Sequence, residues 1–144
     1  MTLYETIQAG TSVIMAIGVL VAARQLALSK QEAQSQFEDS LTTQYRKISR
    51  RLPLAVLLGK PLEGDALDRS LRSFYEYFDL SNEEAFLAEQ GRLRPVTWRN
   101  WLEGIQQHLA RPAFQQAWRK LEPDLDGSFD ALRKILPESL GKTD

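Results

Sequence analysis

The only histidine in this 144-residue chain is His108, and the chain has no cysteine. Zinc and similar metals are held by sets of imidazoles, thiolates and carboxylates, so one imidazole without thiolates does not complete such a site. A histidine that acts as a general base also needs a partner that orients its ring. The sequence does not identify that partner, and it predicts His108 to be a polar residue on the flank of a helix.

An acidic cluster is the next group of side chains that could do chemistry. It consists of Glu76, Asp79, Glu83 and Glu84. Carboxylate oxygens bind divalent cations, so a cation site is one interpretation. The other is that these residues lie on solvated helix faces and near helix N-termini, where negative charge is stabilising. The sequence favours the second interpretation.

Two short motifs resemble ligand sites until their spacing is counted. The acidic segment 124–130 has its glycine at the fourth position of a calcium loop, where the sixth is needed, and Ile135 stands at the twelfth position in place of Glu. The Gly-Lys-Thr of residues 141–143 lacks the earlier glycine of a phosphate loop. The sequence therefore predicts no catalytic residue, no metal ligand and no cofactor, and we expect a protein that is not an enzyme.

A basic stretch at residues 45–51 could contact an acidic partner. Its basic side chains are Arg46, Lys47, Arg50 and Arg51. Nucleic acid is an unlikely partner, because four charges accompany one aromatic residue and an acidic remainder of the chain. Anionic lipid is a second possible partner. Along a straight helix, however, Arg46 would lie about 33 Å from Arg24 at the membrane, several times the Debye length of about 8 Å. Pairing with carboxylates of the chain itself, or of a neighbouring subunit, is the favoured interpretation.

The element that places all these residues is an uncharged N-terminal segment. No charged residue occurs between Glu5 and Arg24. The 18 residues 6–23 would rise roughly 27 Å as a helix, against a hydrocarbon core of about 30 Å. The sequence predicts a transmembrane anchor at 1–24 that contacts lipid through residues 6–23. Because all 18 Lys and Arg residues follow this segment, we expect the N-terminus outside and the remainder in the cytoplasm.

Two other interpretations of this segment stay open. A cleaved signal peptide needs a basic region before the apolar core and a cleavage site after it, and neither is evident here. A buried helix of a soluble protein is favoured by the polar residues Gln8, Thr11 and Ser12, which make membrane insertion marginal.

Small side chains recur along one face of the same segment. They are Ala9, Ser12, Ala16, Val19 and Ala23, at spacings of three and four residues. Helices in bilayers associate by close packing, which small residues permit. The sequence predicts that this face mediates helix–helix association, either in a homo-oligomer or with another membrane protein.

A helical stem is predicted over residues 25–52. No Pro or Gly interrupts residues 24–51, and Pro53 ends the pattern. Apolar residues recur at helical spacing and form one face: Ala33, Phe37, Leu41, Tyr45, Ile48 and Leu52. The anchor and the stem could therefore form one continuous helix. The net charge is +3 over residues 24–51 and −3 from residue 52 onward.

The remainder is predicted to be a compact head of about five short helices at 53–137, followed by a frayed tail at 138–144. Helices are expected to begin at Asp65, at a capping box starting with Ser81, and at Pro95, Pro112 and Ser128. Gly91 is expected to end one of them. The expected inward-facing residues include Phe78, Phe86, Leu87, Trp101 and Trp118. No strand pattern occurs, so the predicted class is all-α.

Anchor, stem and the aromatic helix starts at 74–86, 91–98 and 111–118 resemble those of uncharacterised bacterial single-pass membrane proteins with a small cytoplasmic all-helical domain. The resemblance implies a bacterial inner-membrane location and the architecture above, and it carries over no catalytic residue. We expect a scaffold or regulatory subunit of a membrane complex. The alternative is an oligomerising effector whose head senses a signal and whose transmembrane helices perturb the bilayer.

Overall fold

A computed structural model describes residues 2–141, and all the regular structure in this range is helical. The all-α prediction is confirmed. The α-helices are α1 (Leu3–Ser49), α2 (Leu54–Leu57), α3 (Ala66–Glu89), α4 (Pro95–Leu109), α5 (Pro112–Leu121), α6 (Asp130–Arg133) and α7 (Glu138–Gly141), with a 3₁₀ turn at Glu122–Asp124 between α5 and α6. Residues 142–144 of the predicted tail lie outside the described range.

The chain divides into two compact units, and the boundary between Asp39 and Ser40 lies inside α1. The first unit is a single helical segment, and residues 2–33 are exposed throughout. The second unit, which we call the head, begins at Ser40 and contains the last turns of α1 together with α2 to α7.

The head is built around α3. This helix packs against α4, α5 and α6, and α5 also packs against α4 and α7. Phe74 and Phe78 of α3 are 0% exposed, and each meets an aromatic ring of α5 edge to face, at centroid distances of 5.2 Å. Their partners are Phe114 and Trp118. Edge-to-face pairs add about 0.5–1.5 kcal/mol each to the free energy gained by burial, so this aromatic layer stabilises the packing of α3 on α5.

Proline and glycine residues begin and end several of the helices, as the sequence predicts. Pro95 and Pro112 open α4 and α5, as predicted. Gly91 ends α3 with a φ of +68°, a left-handed conformation that glycine adopts without steric cost. The amides of Gly91 and Arg92 donate to the carbonyls of Ala88 and Leu87, at 3.0 and 2.9 Å, which is a Schellman ending.

Two predictions for α3 are wrong. Ser81 does not start a helix, because α3 runs through it without a break from Ala66 to Glu89. No Pro or Gly precedes Ser81 to stop the helix, and its buried side chain bonds to Tyr77 one turn earlier. Phe86 does not face inward either. It is 49% exposed, whereas Leu87 is buried as predicted.

The C-terminal part of the head is more ordered than the sequence suggested. Asn82 of α3 accepts a hydrogen bond from the amide of Leu132, at 3.0 Å, and so satisfies a free donor in the first turn of α6. Residues 138–141 of the predicted tail form α7, whose Leu140 is buried. The apolar contact of Leu140 explains why this segment is helical.

Candidate functional site

The first candidate surface is the N-terminal part of α1. This helix is long and apolar enough to cross a membrane: its mean hydropathy reaches 1.8 over 18 residues, and none of that window is buried within the chain. Ile14 is 72% exposed and Leu20 is 69% exposed. A core helix of a soluble domain buries such side chains in its own protein, and this segment does not.

The polar side chains of this segment are partly satisfied inside the helix. The hydroxyl of Thr11 donates to the carbonyl of Ile7 at 2.9 Å, and the hydroxyl of Ser12 donates to the carbonyl of Gln8 at 3.0 Å. A hydroxyl that is already hydrogen-bonded costs less to place in hydrocarbon than a free one. These bonds reduce the free-energy cost of placing the polar side chains of this segment in a membrane.

The residues predicted for helix association all lie on the exposed surface of α1. They are Ala9, Ser12, Ala16, Val19 and Ala23. Gly10 and Gly18 add to the open surface, since a Cβ at either would meet no heavy atom within 4 Å. The structure leaves this face accessible to another helix, and its role in association stays a prediction.

The second candidate is a cavity of about 260 Å³ in the head. Three helices supply its wall: the end of α1, the second half of α3, and α4. The lining residues are Thr42, Tyr45, Glu84, Asn100, Trp101, Gly104, Ile105 and His108. Trp101, predicted as a core residue, is only partly buried and forms one side of this cavity. Asn100 is exposed, so the cavity reaches the surface.

His108 lies in an aromatic cluster beside this cavity. Its Nδ1 is 3.0 Å from the hydroxyl of Tyr77, and its ring centroid is 5.9 Å from that of Tyr45. Burial, and then the nearby charge of Arg111, lower the pKa of His108, so its imidazole is neutral near pH 7. Burial raises the pKa of the Tyr77 phenol well above its usual range. We therefore assign the Tyr77 hydroxyl as donor to an unprotonated Nδ1, which leaves the proton of His108 on Nε2.

Glu84 is the most unusual group at the cavity. Its residue is 7% exposed, and burial, followed by the charge of Glu83, raises the pKa of its carboxyl to about 8. The sequence interpretation of Glu84 as a solvated residue of a helix cap is wrong. Tyr77, Ser81 and Glu84 are spaced by four and three residues and are all buried, so they share one face of α3. The helix start predicted at Ser81 would place Tyr77 and Glu84 on different helices, so the sequence alone does not indicate that they share a face.

The other carboxylates of the acidic cluster lie elsewhere. Glu76 pairs with Arg51, at 2.5 Å between carboxylate oxygen and guanidinium nitrogen, and with Arg72 at 3.5 Å. Within residues 2–141, no group of three or more histidines and carboxylates could hold a metal ion. Of the basic stretch, Arg51 thus contacts a carboxylate of the chain itself, and Arg46, Lys47 and Arg50 are exposed.

No family model, curated protein or solved structure matches this chain. Its function therefore has to be inferred from its own residues.

Proposed function

We propose that this chain is a membrane-anchored scaffold or regulatory subunit of a bacterial inner-membrane complex. The observation that carries the proposal is that residues 3–33 of α1, which include the apolar span, are all exposed. Exposed apolar surface of this extent is unfavourable in water and calls for lipid or another helix to cover it. Residues 6–23 then lie in the hydrocarbon core.

The proposed orientation has the N-terminus outside and the head in the cytoplasm. It is supported by the charges that flank the apolar span. Glu5 precedes it, and Arg24 and Lys30 follow it on the side of the head. Basic residues close to a membrane helix are retained on the cytoplasmic side.

The proposed activity is binding of a protein partner, without catalysis. The small-residue face of Ala9, Ser12, Ala16, Val19 and Ala23 supports association between membrane helices. The exposed basic residues Arg46, Lys47 and Arg50 support contact with an acidic partner.

Topology is tested with a fluorescent reporter that matures only in the cytoplasm, fused after Asp144. We expect fluorescent cells, and the protein in the membrane pellet after extraction with alkaline carbonate. A dark fusion that remains in the pellet would reverse the orientation. Release into the supernatant would show that residues 6–23 do not anchor the chain.

Self-association is tested by disulfide crosslinking of a single cysteine at position 9, which is unambiguous because the chain has no cysteine. We expect crosslinked species in the Ala9→Cys parent and markedly fewer after Ala16→Leu, because the larger side chain separates the helix backbones. Ile14→Leu, at a bulky position, is the matched control and should leave the yield unchanged. An equal yield in all three proteins would reject the small-residue face as an interface.

The same variants separate the scaffold from the membrane-perturbing effector. An effector should inhibit growth when overexpressed and lose that inhibition together with its crosslinks. A scaffold should be harmless in both forms and lose only its partner. The hydroxyls of Thr11 and Ser12 already donate within the helix, so little polar surface is left to line a bilayer defect, which favours the scaffold.

A further inference from the structure

The head places a carboxyl group in the wall of a cavity whose lining residues include no Lys or Arg. Glu84 is 7% exposed and lines the cavity between the end of α1, α3 and α4. Burial and the charge of Glu83 both raise the pKa of its carboxyl, and no Lys or Arg among the described residues acts to lower it. A buried carboxyl is costly to ionise, so a cation bound beside it would stabilise its ionised form.

The charged groups near Glu84 do not supply the missing cation. His108 of α4 is neutral, because burial and Arg111 lower its pKa. The guanidinium of Arg111 donates to the carbonyl of Leu57 at 3.1 Å and does not line the cavity. Glu83, the next residue of α3, adds a further negative charge. Tyr45 and Tyr77, which also lie close to Glu84, are neutral, since burial raises the pKa of each.

The rest of the wall suits an organic cation. Tyr45 and Trp101 bring aromatic rings to the cavity, and aromatic faces attract ammonium groups most strongly where water is excluded. Gly104 leaves room beside them, because a Cβ at this position would meet no heavy atom within 4 Å. The volume of about 260 Å³ exceeds the roughly 30 Å³ of one water molecule several times, so a ligand with a small hydrocarbon body fits.

We propose that this cavity binds a small organic ammonium cation, with Glu84 as its counter-ion and Tyr45 and Trp101 as its aromatic walls. An anion is disfavoured because the cavity offers no cationic side chain. A neutral ligand would not stabilise the ionised form of Glu84. The site lies wholly within the head and does not depend on the membrane role of α1.

Binding of a cation should release a proton. At pH 7 most Glu84 side chains are protonated, since the pKa of this carboxyl is about 8, and a bound ammonium group favours the ionised form. Close to one proton should therefore leave per cation bound at pH 7, and almost none at pH well above 8. Affinity for the cation should rise with pH up to about pH 8 and then level off.

The test is calorimetric titration of the full chain, solubilised in detergent, with choline and n-butylammonium at pH 7 and pH 9. Uncharged 3,3-dimethyl-1-butanol has nearly the shape of choline and serves as the neutral comparison. We expect at least one of the two cations to bind saturably in the millimolar range or tighter, and the neutral isostere to bind at least about tenfold more weakly. Repeating the titration in buffers of different ionisation enthalpy measures the proton released.

Three variants test the assignment. Glu84→Gln keeps the size of the side chain and should weaken cation binding at least about tenfold and abolish proton release. Gly104→Leu should block the cavity without disturbing the backbone, because its Cβ has space and leucine favours a helix. Glu103→Gln makes the same substitution at an exposed residue of α4 outside the cavity and should change affinity less than about twofold.

The proposal is overturned if neither cation binds at concentrations up to about 50 mM, or if cation and neutral isostere bind equally. It is also overturned if Glu84→Gln and Glu103→Gln have the same effect. Should Glu84→Gln fail to fold, as judged by circular dichroism, binding that persists in Gly104→Leu overturns the proposal and its loss there supports it.

Discussion

Apolar side chains are exposed in the N-terminal part of this chain and buried in the head. In the N-terminal part of α1, Ile14 and Leu20 are 72% and 69% exposed, whereas Phe74 and Phe78 of the head are fully buried. The head covers its apolar residues with its own helices. The N-terminal segment does not, since residues 2–33 are all exposed. One sequence thus contains a unit with its own buried core and a segment whose apolar residues are exposed.

Exposure alone does not distinguish the apolar N-terminal segment from the head. Leu54 of the head is also 69% exposed, the same fraction as Leu20. What differs is the neighbourhood, because Leu20 lies in an uninterrupted apolar stretch and Leu54 lies between Pro53 and the buried Val56. Scattered exposed leucines are normal on soluble domains, whereas a continuous apolar surface is not.

The largest expected effect comes from charging this surface. Ile14→Lys together with Ile17→Lys should release the protein from membranes, since each Lys near the centre of a span costs about 2.5–3.5 kcal/mol. Leu54→Lys together with Leu58→Lys adds the same charge to exposed positions of the head and should leave the protein in the membrane pellet. Carbonate extraction followed by blotting measures both. Equal release of the two proteins would show that the N-terminal segment contributes no more to membrane binding than the head does.

Next in size is truncation of the aromatic core. Phe78→Ala should lower the free energy of unfolding by about 3–5 kcal/mol, because the side chain is fully buried. Phe86 belongs to the same helix but is 49% exposed, so Phe86→Ala should lower the free energy of unfolding by less than about 1 kcal/mol. Urea unfolding of the full chain in detergent, followed by tryptophan fluorescence, gives both values. A large loss for Phe86→Ala would indicate that its ring is covered by a partner or by a second copy.

Glu84 makes the stability of the head depend on pH. Because the pKa of this carboxyl is raised to about 8, the folded head retains a proton that the unfolded chain loses near pH 4.5. Stability should therefore fall as pH rises from about 4.5 to 8, by an amount of the order of 5 kcal/mol, and then level off. Glu84→Gln should remove this fall. Unfolding curves of both proteins at several pH values, compared as a difference, isolate Glu84 from His108, which destabilises the head toward acid pH.

The smallest effect is expected from surface charge. Arg51→Ala removes the 2.5 Å pair with Glu76, but the arginine side chain is 54% exposed and the loss should stay within about 1 kcal/mol. Arg72→Ala removes a 3.5 Å contact of a 90% exposed side chain and should cost less. The difference should shrink in high salt. A loss of several kcal/mol for Arg51→Ala would mean that charge, and not burial, holds the end of α1 to α3.

Local signals in the sequence predicted the fold class and most helix boundaries. Pro95, Pro112 and Gly91 act through their own backbone preferences, so their effect can be anticipated without knowing the fold. Ser81 was misinterpreted because a capping box and a helix interior tolerate the same residues when nothing before them breaks the helix. The order of residues 138–141 was missed because it depends on contacts with α5.

The cavity was not predictable in the same way. Tyr45, Glu84 and His108 are distant in sequence and meet only when three helices pack. The partner of His108 is Tyr77, 31 positions earlier in the chain, and no spacing rule connects them. The helical spacing of Tyr77, Ser81 and Glu84 is the one feature of the sequence that indicates a shared face. The helix start predicted at Ser81 assigned these residues to two helices, whereas α3 contains all three.

The most direct test of the account compares cysteines at positions 20 and 54, since the native leucines there are equally exposed in the chain. Leu20→Cys and Leu54→Cys are labelled with a membrane-impermeant maleimide in inverted inner-membrane vesicles. The account predicts that position 54 reacts at once, while position 20 reacts only after denaturation in detergent, because lipid covers it. Equal labelling of the two cysteines in intact vesicles would contradict a membrane-embedded segment at residues 6–23.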